Sequence, residues 1–250
     1  MNQVVEQLKR SIVIAGKDVR IYYLKGPVII FGLVFPLFLA LAYTVGRNVP
    51  LKEILPGLTG MTTFFAATAV GPSIIPWETR SKTLERLLSC PVALWTVILG
   101  DVLSSFFFGL IISVVPLTLA LVIAVQPTGI ALLIPGVVIA SLCFSALSVL
   151  LSAYPPTDVP ATTMMLSSLV KFPLVFISGI FIPIDQLPLW GRILASISPL
   201  TYFTDMARQL MLGKGYYPLT VDLAAMIVYT AVFLLASFKL HERTIARRLS

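Results

Sequence analysis

The stretch Ser178-Gly-Ile-Phe-Ile-Pro-Ile-Asp-Gln-Leu-Pro-Leu-Trp190 closes a long apolar segment of the chain. Its glycine and first proline are residues that end helices. Apolar and polar residues are then mixed as far as Ser198-Pro-Leu-Thr-Tyr202, without the long apolar run of a further span. This pattern predicts a chain that crosses a membrane and then stays at the membrane surface before crossing again.

The composition of the whole chain agrees with this prediction. Of its 250 residues, 58% are apolar and 12% are charged, and the mean hydropathy is +0.97, whereas a soluble domain is about half apolar and a quarter charged. A spanning helix needs about 20 apolar residues. We therefore predict an all-α integral membrane protein with six transmembrane helices, at residues 27–45, 54–77, 97–125, 129–153, 159–183 and 220–239.

The N-terminal residues predict an amphipathic helix on the membrane surface. Between residues 3 and 25, apolar side chains recur at helical spacing and basic ones occupy the other side, as in helices that lie on anionic lipid. An ordinary topology-setting N-terminus is a compatible alternative. A secretory signal is not expected, because charges interrupt any apolar core.

The distribution of basic residues predicts the orientation of the spans. Twelve lysines and arginines flank one side of the predicted spans and five flank the other. Since cytoplasmic loops carry the excess of basic residues, both termini should be cytoplasmic in a multi-pass protein of the cytoplasmic (inner) membrane. The net charge of +7 is explained by these flanks, so nucleic acid is not an expected partner, whereas membrane lipids are.

A charged segment separates the second and third predicted spans on the cytoplasmic side. In residues 77–95, Leu84, Leu87 and Leu88 share one helical face among charged residues, and Pro91 ends the helix. Such a helix suits docking into a groove of a soluble partner. A surface helix resting on lipid fits the periodicity equally well.

Two motifs resemble the ABC-2 type membrane permeases, the transmembrane partners of ATP-binding cassette exporters. The first is Glu78, then Thr83-Leu84-Glu85, Leu87, Leu88 and Pro91, with Lys82 where the family usually has glycine. The second is the 178–190 stretch followed by residues 198–202, Asp205 and Arg208. With six spans, the resemblance covers nearly the whole chain, as a single domain 1–250.

The resemblance implies a cytoplasmic coupling helix that contacts a separate nucleotide-binding ATPase. The residues implied in coupling are Glu78, Arg80, Thr83, Leu84, Glu85, Leu87 and Leu88. The chain lacks the glycine-rich ATP-binding motif, so no cofactor is expected on it and ATP with Mg²⁺ would be used by the partner. A second permease subunit, identical or different, is also implied.

The segment 184–219 predicts a re-entrant or interfacial hairpin on the outer side, before the last span and basic tail at 220–250. Non-helical backbone at membrane depth is tolerated only inside protein or along a cavity, although a plain external loop on lipid explains the aromatic residues as well. We interpret the segment as an outer-side gate whose residues are Ser178, Gly179, Pro183, Pro188, Trp190, Pro199 and Tyr202.

Lys171 lies about midway along the fifth predicted span. A charged residue at that depth is by default a functional hypothesis, and we place it on the substrate path, facing an aqueous cavity. Alternatively the side chain reaches towards the membrane surface. His241, the one histidine, is expected at the surface of the charged tail, and the two cysteines predict neither a disulfide nor a metal site.

These features predict a transport subunit and not an enzyme. The favoured function is export of an amphipathic, lipid-linked or drug-like substrate by alternating access, driven by the separate ATPase. A secondary carrier driven by an ion gradient is the alternative, although acidic residues within the spans are nearly absent. An integral-membrane enzyme would require clustered Asp, His or Ser/Lys side chains, which the pattern does not show.

Overall fold

The computed structural model describes residues 3–45, 50–123 and 127–249. This part of the chain is helical and contains no strand. Its α-helices are α1 (Gln3–Asp18), α2 (Gly26–Ile29), α3 (Phe35–Thr44), α4 (Leu51–Ala67), α5 (Gly71–Arg80), α6 (Thr83–Ser89), α7 (Leu94–Val122), α8 (Pro127–Ser152), α9 (Pro160–Ile177), α10 (Leu189–Ala195), α11 (Pro199–Leu212) and α12 (Leu219–Leu249).

Six helical segments are long and apolar enough to cross a membrane, which confirms the predicted fold class. They are Gly26–Thr44, Leu51–Arg80, Leu94–Val122, Gly129–Ser152, Pro160–Ile177 and Leu219–Arg248. The fifth ends at Ile177, six residues before the predicted boundary, because the chain turns at Gly179. The predicted end of the third, residue 125, lies outside the described residues.

The second span is broken and not continuous as predicted. Helix α4 ends at Ala67 and α5 begins at Gly71, so Thr68 to Val70 separate them. Pro72 explains the break, since its ring clashes with the carbonyl four residues earlier and it has no N–H to donate. The carbonyl that is left over is that of Thr68.

The two interrupted segments near the N-terminus contain π-helical turns. One turn, Val19–Tyr23, ends the predicted 3–25 helix early, so that its regular part is α1. The other, Ile30–Val34, lies inside the first span between α2 and α3, directly before Pro36. Single π-helical turns of this kind occur as local bulges within α-helices.

The second span lies at the centre of the bundle, with its most apolar stretch wholly buried. Helix α4 packs against α7, α8 and α11. Four aromatic rings form its core contacts, in edge-to-face pairs that favour association beyond simple burial: Phe64, Phe65, Phe144 and Phe203. This core places α11, which is not a span, inside the bundle.

Small residues on α8 serve internal packing. Ala140, Ser141, Ser145 and Ser148 are all buried, and a side chain at Gly136 would collide with Met206 of α11. Small residues allow helices in a membrane to approach closely. The close approach of α8 to α11 follows from this stripe.

Helix α12 runs past the predicted end at residue 239 and holds the charged tail against the bundle. His241 is 2% exposed, so the expectation of a surface histidine is wrong. Its Nε2 lies 3.1 Å from Ser152 Oγ, and its Nδ1 lies 2.8 Å from Ser237 O. Arg248 donates to the carbonyls of Ser152 and Thr157, which stabilises the buried C-terminal end of α8.

Candidate functional site

The predicted coupling residues occupy two helices at one end of the bundle, which we call the α6 end. Glu78 and Arg80 lie in the last turns of α5, and Thr83 to Leu88 lie in α6. Lys82 joins the two helices with φ +56°, in the left-handed region. Because glycine adopts this conformation without strain, the lysine preserves the backbone geometry for which the resembling motif uses glycine.

The leucine face of α6 packs on the protein itself. Leu84 is fully buried, in a cluster that includes Ile75 and Val97, and Leu88 packs against the same cluster. Glu85 and Arg80 are exposed. The exposed surface of α6 is therefore its charged side, and the packed side chains of Leu84 and Leu88 fix its position.

Glu78 is not on that surface. It is 1% exposed and its Oε1 accepts a hydrogen bond from Lys17 of α1. The same ammonium lies 3.0 Å from Asp18 Oδ1. The lysine therefore ties the N-terminal helix to the end of α5.

A third carboxyl group, Asp101 of α7, completes a buried cluster with Asp18 and Glu78. Asp18 and Asp101 are both fully buried, and within the described residues no hydrogen bond to either carboxyl is formed, although Lys17 lies close to Asp18. Burial raises the pKa of Asp18, against the opposing effect of Lys17. Within the described residues, no group of histidine, cysteine and acidic side chains is arranged to hold a metal ion.

Sequence reasoning places Glu78 in the cytoplasmic segment but does not connect it with Asp18 or Asp101. No spacing links α1, α5 and α7, which meet only through tertiary packing. The available signal was Asp101, an acidic residue near the start of the apolar helix α7, because a charge in such a helix requires a partner.

The opposite end of the bundle, which we call the α10 end, carries the predicted gate residues. Ser178 caps α9 with its hydroxyl on Val175 O, and Gly179 follows with φ +73°. A helix stop of this kind favours glycine. A Cβ at Gly179 would also lie 3.0 Å from Ile184. The chain therefore turns back at Gly179 before Pro183.

The two short helices after the turn differ in their surroundings. Pro188 and Pro199 precede or begin α10 and α11, where proline fits without losing a hydrogen bond. Trp190 on α10 is 69% exposed, together with the apolar residues Leu189, Ile193 and Ile197. Helix α11 is mostly buried. Tyr202 joins the two helices by donating to Ser196 O at 2.9 Å.

A cavity of about 630 Å³ opens beside these helices. Its wall combines α3, α4, the 180–186 segment, α11 and the 214–216 loop. The lining includes apolar residues and both signs of charge: Ile54, Leu58, Met61, Ile180, Phe181, Glu53, Asp185, Asp205, Arg208 and Lys214. Pro183 is the one predicted gate residue in this lining.

Asp205 and Arg208 organise the buried side of the cavity. The Asp205 carboxylate accepts the backbone N–H groups of Tyr216 and Tyr217 at 2.8–3.0 Å, which holds the loop before α12. Arg208 donates from Nη2 to Gly179 O at 3.1 Å. Burial raises the pKa of Asp205 and lowers the pKa of Arg208, and each is opposed by the charge of the other.

Lys171 neither lines this cavity nor reaches the membrane surface. It is 1% exposed, and its Nζ donates to Thr68 O at 3.2 Å, the carbonyl left over at the break in span two. The ammonium also lies 5.9 Å from the centre of the Phe31 ring. The described contacts of the ammonium lie within the protein, and a place for Lys171 on the substrate path stays a prediction.

Known proteins resemble this chain over most of its length. Nodulation protein J of Bradyrhizobium diazoefficiens is 27% identical over 170 residues, which is 66% of this chain and 63% of that protein. The Escherichia coli protein named "Probable multidrug ABC transporter permease YbhR" is 24% identical over 77% of this chain and 52% of its own length. The chain thus spans less than two thirds of these relatives.

A further relative is the "Inner membrane transport permease YadH" of Escherichia coli, which is 24% identical over 77% of this chain and 75% of its own length. The family match extends over residues 9–212, from α1 through α11. It includes the α6 end, the break at Thr68 and the Gly179 turn. The chain belongs to the ABC-2 type transporter family of membrane permeases.

Proposed function

We propose that this chain is the permease subunit of an ATP-binding cassette exporter of the inner membrane. It would move an amphipathic, lipid-linked or drug-like substrate by alternating access, together with a second permease subunit. The observation that carries the proposal is the family match over residues 9–212. The relatives named as transport permeases support the same class of function.

Energy would come from a separate nucleotide-binding ATPase that uses ATP and Mg²⁺, with no cofactor on this chain. The proposed contact is the charged side of α6, with the coupling set from Glu78 to Leu88. Movement of α6 would reach α1 because Lys17 bonds to Glu78. This contact supports the inclusion of Glu78 as a residue that links helices and does not touch the ATPase.

The excess of basic residues at the α6 end supports an orientation with both termini in the cytoplasm. Residues 1–250 would form one transmembrane domain with α1 on the inner surface. The α10 end would then face outwards. There, α10 would lie at the interface and α11 would enter the bundle as a re-entrant helix, and the segment from Ser178 to Tyr202 would act as the gate.

Co-purification and reconstitution test the proposal. The full chain is purified with the ATPase that associates with it and placed in vesicles with a fluorescent amphiphile. We expect transport that requires ATP and stops in a Walker-motif variant of the ATPase. The alternative function is a secondary carrier, which is favoured by the buried carboxyl groups of Asp18, Glu78 and Asp101. Transport by the chain alone, driven by a proton or sodium gradient, would establish this alternative.

A further inference from the structure

The cavity at the α10 end contains a cation with unused hydrogen-bond donors. Arg208 lines the cavity and is 6% exposed. A guanidinium has five N–H groups, and within the described part of the chain its acceptor is Gly179 O alone. None of its other nitrogen atoms is among the fully buried, unpaired atoms of the described residues, so these donors are accessible from the cavity. The remaining N–H groups are suited to a ligand that accepts hydrogen bonds, above all a phosphate or carboxylate.

The acidic residues of the cavity divide into two kinds. Asp205 is buried, and its two oxygens are occupied by the amides of Tyr216 and Tyr217. Glu53 and Asp185 also line the cavity but are exposed, and neither forms an ion pair with another described residue. All three stabilise the charge of Arg208 from a distance. A purely anionic ligand would be repelled by the two exposed carboxylates, whereas a ligand with an additional ammonium would satisfy them.

The rest of the lining is apolar. Leu58, Met61, Ile180 and Phe181 form a continuous part of the wall, and a volume of about 630 Å³ lies within the usual range for small-molecule sites. The cavity therefore offers a buried cation, an exposed lysine (Lys214), two accessible carboxylates and an apolar surface in one space.

We propose that this cavity binds a zwitterionic group, with its phosphate or carboxylate on Arg208 and its ammonium on Glu53 and Asp185. The apolar wall would hold the hydrocarbon part of the molecule that carries it. As a statement about exported cargo the inference rests on the proposed function. Binding itself requires neither ATP nor the ATPase.

Protection of a cysteine in the cavity tests the proposal. Gln186→Cys lies in the exposed part of the lining, and Cys90→Ser removes the native exposed thiol. The full-length chain in dodecyl maltoside is labelled with a maleimide dye in the presence of dihexanoyl phosphatidylethanolamine. We expect protection at a concentration about tenfold lower than with dihexanoyl phosphatidylglycerol, which lacks the ammonium. Equal protection by the two lipids would overturn the proposal.

Three variants locate the contacts. Arg208→Gln should abolish protection by the zwitterion. The double variant Glu53→Gln with Asp185→Asn keeps Arg208, and in it the affinity for phosphatidylethanolamine should fall to that for phosphatidylglycerol. The test therefore does not depend on whether the Arg208 variant folds. Lys52→Gln, an exposed neighbour outside the lining, is the matched control and should change nothing. Full protection in the double variant would refute the assignment.

A third probe, phosphoethanolamine, distinguishes a soluble zwitterion from an amphiphile that carries the same group. Protection by phosphoethanolamine at the same concentration as the lipid would support the zwitterion site and assign it to a soluble occupant. Protection by the lipid alone would assign it to an amphiphile. ATP-dependent transport without any zwitterion selectivity would overturn this inference and leave the proposed permease function standing.

Discussion

Lys171 shows how a charged side chain is held in the middle of an apolar helix without a carboxylate. Its ammonium donates a hydrogen bond to the carbonyl of Thr68 at the end of α4. A positive charge also interacts favourably with the dipole at the C-terminus of a helix. The Phe31 ring supplies a further favourable contact. The lysine and the break in span two therefore explain each other.

Replacement of Lys171 by methionine should destabilise the protein. The change keeps the length of the side chain but removes the donor, so that the Thr68 carbonyl loses its partner at a cost of about 1–3 kcal/mol. We expect a lower unfolding temperature in detergent. Lys25→Met, at an exposed lysine, is the control. Equal unfolding temperatures for the two variants would contradict the assigned role.

Asp18 should make stability depend on pH in an unusual direction. Burial raises the pKa of this carboxyl in the folded protein, so the folded state binds a proton that the unfolded state has already released. Stability from this group is therefore present at low pH and is lost as pH rises towards the folded-state pKa. Lys17 does not reverse the trend, because its raised pKa keeps it charged throughout.

The Asp18→Asn variant should accordingly be more stable than the parent near neutral pH and less sensitive to pH. Unfolding temperatures from about pH 5 to about pH 8 provide the measurement. Asp158→Asn, at an exposed aspartate, serves as the control and should follow the parent. A parent protein that gains stability over this range relative to Asp18→Asn would show that the sign is wrong.

At the scale of elements, regular helices were predictable from composition and their interruptions only in part. Pro72 predicts a weak point in span two, but the partner of the freed carbonyl is more than 100 residues away and no local pattern identifies it. Leu84 and Leu88 of α6 lie in one apolar cluster, in agreement with their helical spacing. Periodicity could not show that this leucine face packs against the protein, because periodicity shows which residues share a face and not what that face contacts.

The contact between α8 and α11 should tolerate no side chain at Gly129. A Cβ there would overlap the carbonyl oxygen of Leu210, and backbone cannot move aside as a side chain can. Gly129→Ala should therefore reduce the unfolding temperature or the yield of folded protein. Gly16→Ala in α1 meets no atom within 4 Å and should be neutral or stabilising by up to about 1 kcal/mol. Similar behaviour of both variants would argue against close packing.

Helix α6 should lose its partner when its charge is reversed without disturbing its leucines. Glu85→Arg changes an exposed residue, so the fold should survive while ATP-driven transport and co-purification with the ATPase fall. Glu242→Arg alters an exposed glutamate of α12 at the same end and should have little effect. Normal co-purification of the Glu85 variant would remove α6 as the proposed contact.

For the whole molecule, the number of spans and the family were predictable, whereas the cavity was not. Six apolar runs are a property of composition, and the Gly179 and Pro183 motif is local. The cavity at the α10 end combines residues as distant as Glu53 and Arg208. Only the folded bundle brings them together. The sequence identified Pro183 as a gate residue and Asp205 and Arg208 as parts of a motif, but it placed none of them in a cavity.

The orientation of the bundle can be tested with cysteines at its two ends. Cys90 is exposed near the end of α6, and Gln186→Cys would be exposed at the α10 end. In intact spheroplasts a membrane-impermeant maleimide should label Gln186→Cys at once and Cys90 only after permeabilisation. The reverse pattern would invert the proposed topology.

The break in span two also allows α5 to rotate as a rigid helix about Thr68. Helix α5 has ten residues, which at about 1.5 Å each place α6 about 15 Å from the fulcrum at Thr68. A rotation of about 10° there would move α6 by about 2.6 Å, while α4 and the aromatic core remained in place. A force on α6 would therefore reach the hydrogen bond between Lys171 and Thr68 as well as the contact of Glu78 with Lys17.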